Sequence, residues 1–130
     1  MKRSLFLTIV AVISAGFGLG LLICPAAVLS QYGLTLDVAG ILTARFLAAA
    51  LIGQALLFWI SRNVPDSVAM TGILWAGFAG NFIEGIVAKM AVRSGLMNSM
   101  GWSVVAMDML IAIGFASYLF GKKPYPTVNP

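Results

Sequence analysis

The stretch VAGILTARFLAAALIGQALLFWI, residues 38–60, decides the fold. It holds a single ionisable side chain, Arg45. A helix of this length rises about 35 Å, enough to cross a ~30 Å hydrocarbon core. The stretch lacks the period-two alternation of a membrane β-barrel strand. Three further apolar runs flank it: Leu5–Cys24, Val68–Val92 and Trp102–Phe120. Backbone groups cannot stay unpaired in lipid, so each run is expected to be a helix. The links are short and polar, which makes neighbouring helices antiparallel. Pro25 ends the first run, and Gln31-Tyr32-Gly33 and Asp37 are polar interruptions. Asp66 or Ser67 is expected to cap the third helix. The expected fold is all-α: an up-down four-helix transmembrane bundle, one domain over residues 1–121.

Composition points the same way. Of 130 residues, 61% are hydrophobic and 9% charged, against about 25% charged in an ordinary soluble domain. Mean hydropathy is +1.01. Too few polar residues are present to coat a small soluble globule. Cys24 is the single cysteine, so no intrachain disulfide forms. Histidine is absent, which argues against zinc, haem and copper sites and against histidine-based catalysis. No cofactor or metal is expected. The net charge of +4 gathers at the ends of the runs, with no basic stripe among aromatics, so nucleic acid is not an expected partner. The first run is too long for a cleaved signal, and Ile13 spoils a small-x-small site before Ala15.

Lysine and arginine placement sets an expected orientation. Lys2, Arg3, Arg62, Lys122 and Lys123 fall on one side, Lys89 and Arg93 on the other. Both termini are therefore expected in the cytoplasm, in a cell inner membrane, with residues 122–130 a short cytoplasmic tail. Trp59 and Tyr118 then mark the inner interface, Tyr32 and Trp102 the outer.

Arg45, Asn81, Glu84 and Asp108 interrupt the spans. Ionisable groups at membrane depth are costly and mark a functional hypothesis. Counted from the outer ends at 1.5 Å per residue, Arg45 lies ~10 Å deep, Asp108 ~9 Å, Glu84 ~12 Å and Asn81 ~16 Å. Three helices thus bring polar groups to one level. In the third run Gly77, Gly80, Asn81, Glu84 and Ala88 share a face, opposite Trp75, Phe78, Phe82 and Ile86. The expectation is one buried cluster: Arg45 with Glu84 and Asp108, braced by Asn81. Fully ionised it would carry −1, which a proton, a metal cation or a cationic ligand would relieve. A purely structural network that fixes helix packing fits the same residues. Ser14 and Gly18 in the first run, with Gly77 and Gly80 in the third, supply small surfaces for close helix packing. Gln54 lies on the side of the second run opposite Arg45.

Ala44-Arg45-Phe46 and Asn81-Phe82-Ile83-Glu84 give this layout a resemblance to two groups. One is the sterol-biosynthesis scaffold family of four-span proteins, which tether enzymes and carry histidine where Asn81 stands. The other is the DoxX-like set of small bacterial four-span proteins. The glutathione-using membrane enzymes with an Asn-x-x-Glu element place arginine and histidine where Gly77 and Ala79 stand here, so that catalytic set does not carry over. Small multidrug-resistance exporters carry a glutamate in the first span, which holds no acidic residue here.

These readings lead to a non-enzymatic inner-membrane protein, an accessory or scaffold subunit. The alternative is a small transporter or ligand-binding protein using the Arg45, Glu84 and Asp108 cluster. The expected partners are the lipid bilayer, other membrane proteins or a second copy of the chain.

Overall fold

The computed structural model describes residues 1–121, and the tail expected over 122–130 lies outside them. Five helices follow in order: α1 (Arg3–Ile23), α2 (Pro25–Ser30), α3 (Val38–Ser61), α4 (Val68–Arg93) and α5 (Gly101–Phe120). The described residues contain no strand. The four long helices coincide with the apolar runs, and each is long and apolar enough to cross a membrane.

The short α2 was not foreseen, because the sequence marked only a break after Cys24. Pro25 has no N–H with which to extend the α1 ladder, whose last bond runs from the Cys24 N–H to the Gly20 carbonyl at 2.9 Å. The same proline suits the first turn of a new helix, where that N–H would be unpaired anyway. Two longer helices are capped by side chains. The Asp37 carboxylate accepts from the Gly40 N–H at 2.7 Å, and the Ser67 hydroxyl accepts from the Met70 N–H at 3.1 Å. Each such cap contributes about 1 kcal/mol. Of the two candidates before α4, Ser67 is the cap, while Asp66 forms an ion pair with Arg3.

The helices pack as two antiparallel hairpins, α1 with α3 and α4 with α5. Small residues set both contacts. A Cβ on Gly18 would stand 2.9 Å from Ile52 Cγ1 and 3.2 Å from the Ala48 carbonyl oxygen. A Cβ on Gly77 would run into the Phe115 ring, and one on Gly85 would stand 2.7 Å from Met109 Cε. Gly80 is a correction: a Cβ there would meet nothing within 4 Å. The α4 stripe facing α5 runs through Gly77, Asn81, Gly85 and Ala88 at spacings of four, four and three. Gly80, three residues beyond Gly77, falls to its flank.

The bundle is unlike at its two ends. Toward Met1 the hairpins close on Phe6, Leu7, Val10, Phe58, Leu74 and Phe115. Phe6 meets Phe115 edge-on at 4.9 Å between centroids, and Phe58 meets the same ring at 5.3 Å. Arg3 binds Asp66 and the Val64 carbonyl, the Ser4 hydroxyl bonds Asn63 Oδ1 at 2.8 Å, and the Tyr118 hydroxyl donates to the Met1 carbonyl at 2.7 Å. At the far end, loop joins loop. The Asn98 N–H donates to the Tyr32 carbonyl and its side-chain amide to the Gln31 carbonyl, both at 2.9 Å. Gly33 takes a left-handed φ of +79° under Asn98, which glycine adopts without strain.

Candidate functional site

Between the aromatic core and the Asn98 latch the hairpins stand apart around a cavity of about 380 Å³. That volume lies within the ~300–1,000 Å³ of small-molecule sites. The walls are mostly hydrocarbon, with Phe17, Leu29, Leu51, Val87 and Val104 representing the five helices. Ser14, Tyr32, Gln54, Asn81, Glu84 and Asp108 are the polar side chains that line it. Exposure locates the mouth. Among the lining residues, Leu47 on α3 and Ile83, Glu84 and Val87 on α4 are exposed, while those of α1, α2 and α5 are buried or half-buried. The cavity therefore opens sideways, between α3 and α4.

Each polar group is placed by its helix. Asp108 lies on the buried face of α5 with Val105, Ile111 and Ala112, and is 5% exposed. It has no ion pair or hydrogen bond with a described residue. Glu84 precedes Gly85, and a Cβ on that glycine would stand 3.3 Å from Asp108 Cβ, so the tight contact of α4 with α5 at Gly85 puts both acids on one wall. Asn81, also 5% exposed, donates its side-chain N–H to the Gly77 carbonyl at 2.8 Å. A carbonyl only accepts, so the amide orientation is fixed, and Asn81 Oδ1 remains an acceptor with no donor among the described residues.

The structure thus brings Asn81, Glu84 and Asp108 to one cavity and leaves Arg45 outside it. Arg45 is exposed and does not line the cavity. The cause is the rotation of α3. It buries Ala44, Ala48, Ala55 and Phe58, and this face turns Arg45 to the far flank. Gln54 lies nine residues on, half a turn round at 100° per residue, and lines the cavity in its stead. Side chains lean toward the helix N-terminus, so Arg45 reaches toward the Asn98 end of the bundle. Of the four small residues expected to pack helices, Ser14 is buried and lines the cavity, Gly18 and Gly77 form tight contacts, and Gly80 forms none. Gly85 and the Asn98 latch were not singled out in the sequence, and Tyr32, expected to mark the outer interface, lines the cavity. Gly85 could have been found from its spacing of four after Asn81.

Comparison with known proteins gives a family. The model of a domain of unknown function (DUF8292) matches residues 8–128, and the chain belongs to that family. No curated protein and no solved structure matches the chain.

Proposed function

In this member of the DUF8292 family, we propose that the cavity between the hairpins binds a small amphiphilic molecule drawn from a lipid bilayer. The chain is read as an integral, non-enzymatic protein of the cell inner membrane, with four spans and both termini cytoplasmic. The positive-inside bias supports that orientation. Lys2, Arg3 and Arg62 lie at the Met1 end of the bundle, Lys89 and Arg93 at the other, and Lys122 and Lys123 follow α5 in the sequence. The cavity then sits in the outer half, and its mouth between α3 and α4 faces acyl chains.

The observation that carries this reading is the open volume beside two acidic side chains. A purely structural network, or a subunit that only braces partners, calls for closed packing with polar groups paired. Here the acids line space, which favours the ligand-binding or transport alternative over the accessory-subunit reading. The test is saturable binding of decan-1-ol to protein in zwitterionic lipid nanodiscs, corrected for empty discs. Ala91, which lines the cavity and is half-buried, marks the variant. Ala91→Phe fills the space and is expected to abolish saturable binding while the helical circular dichroism stays unchanged. Equal binding by wild type and Ala91→Phe would contradict the proposal.

A further inference from the structure

We infer that the molecule held in this cavity is a cationic amphiphile, an ammonium or amidinium group on a hydrocarbon chain, with the charged group at Asp108 and Glu84. The inference rests on the ligand-binding reading above and names the chemistry of its ligand.

Hydrogen-bond polarity comes first. The wall shared by α4 and α5 offers two carboxylates and Asn81 Oδ1, while one of the two Asn81 N–H donors is taken by the Gly77 carbonyl. Acceptors outnumber donors on this wall, so it suits a ligand that donates. Charge comes second. Among the described residues no Lys or Arg lines the cavity, because Arg45 is turned to the opposite flank of α3. Carboxylates in an apolar site are expensive unless a proton or a cation meets them, and a cationic ligand supplies the second. Asp108 is the independent sign of an occupant. The residue is 5% exposed, lines the cavity and is unpaired among the described residues. Buried polar groups in folded proteins are nearly always partnered, and the space beside Asp108 is where its partner fits.

The remaining walls decide between an inorganic and an organic cation. Two carboxylates and one amide oxygen are fewer than the roughly six to eight oxygens calcium takes. Among the described residues no group of three metal-ligating acidic, histidine or cysteine side chains gathers. A bare ion would also leave Phe17, Leu29, Leu51 and Val104 facing empty space. A chain on the ammonium fills it. An anionic amphiphile would place a third carboxylate beside the first two.

The experiment compares decylamine, protonated at neutral pH as a lysine side chain is, with decan-1-ol and decanoate. Binding of each radiolabelled probe is measured on protein in zwitterionic nanodiscs and corrected for empty discs. Decylamine is expected to bind about tenfold more tightly than decan-1-ol, the increment of one charge-assisted hydrogen bond. Asp108→Asn and Glu84→Gln are each expected to reduce that advantage by weakening decylamine binding more than decan-1-ol binding. Glu84 is exposed at the mouth, so Glu84→Gln remains informative where Asp108→Asn fails to fold. Decylamine binding no tighter than decan-1-ol, or an advantage that survives both neutral variants, would overturn the cation while leaving the cavity reading intact. Failure of all three probes to bind would overturn both.

Discussion

Replacing Phe115 with alanine is expected to lower stability by about 3 kcal/mol, the low end of the range for a buried phenylalanine. Phe115 is 0% exposed, and its ring meets Phe6 and Phe58 while covering Gly77. It therefore joins α1, α3, α4 and α5 in the aromatic core, where the two hairpins close on each other. The low end applies because lipid is as apolar as the core. Separating helices in a bilayer returns the ring to hydrocarbon rather than to water, so the transfer contribution falls away. What is lost is dispersion contact with the surrounding side chains, plus the void left behind. Unfolding in mixed micelles against a rising fraction of denaturing detergent measures the change. A loss below 1 kcal/mol would mean that the hairpins are held together elsewhere.

Gly77→Val is expected to cost about 2–3 kcal/mol by overpacking the same contact. A Cβ at Gly77 would stand 2.6 Å from Phe115 Cε1 and 2.7 Å from Cε2, so the ring or the α4–α5 spacing must shift. Neither moves easily, because Phe6 and Phe58 hold the ring from the other side. The two substitutions should not add. With Phe115→Ala in place, the valine enters the vacated space, and the double variant should be more stable than the sum by about 1–3 kcal/mol. Strict additivity in the same micelle titration would contradict the contact.

The spans were legible because each is an uninterrupted apolar run of membrane-crossing length, a signal that does not depend on which face packs. The rotation of α3 was not legible. That helix is apolar nearly all round, and Arg45 is the feature that draws the eye. What turns it is the fit of Ala48 and Ile52 against Gly18, a contact between residues distant in sequence. Asn81, Glu84 and Asp108 could be assigned a shared level because depth follows from counting along a helix. Their cavity could not, because a void is set by how far apart two hairpins stand. The helix α2 and the Asn98 latch were also hidden. Pro25 reads equally as a stop and as a first helical residue, and Asn98 acts on carbonyls, which every residue carries.

The central claim is that one half of the bundle encloses accessible space while the other is closed. Thiol reactivity tests it most directly. In a Cys24→Ser background, cysteine is placed at Val104, which lines the cavity, or at Leu74, which is 0% exposed in the aromatic core. A thiol in the packed core leaves no room for a reagent, whereas one lining a cavity that opens to the acyl chains is reached by a small membrane-permeant reagent. Val104→Cys is therefore expected to react with a small methanethiosulfonate reagent many times faster than Leu74→Cys in the same nanodiscs, and decylamine should slow it. Equal, slow reaction at both positions would contradict an open cavity beside Asp108 and Glu84.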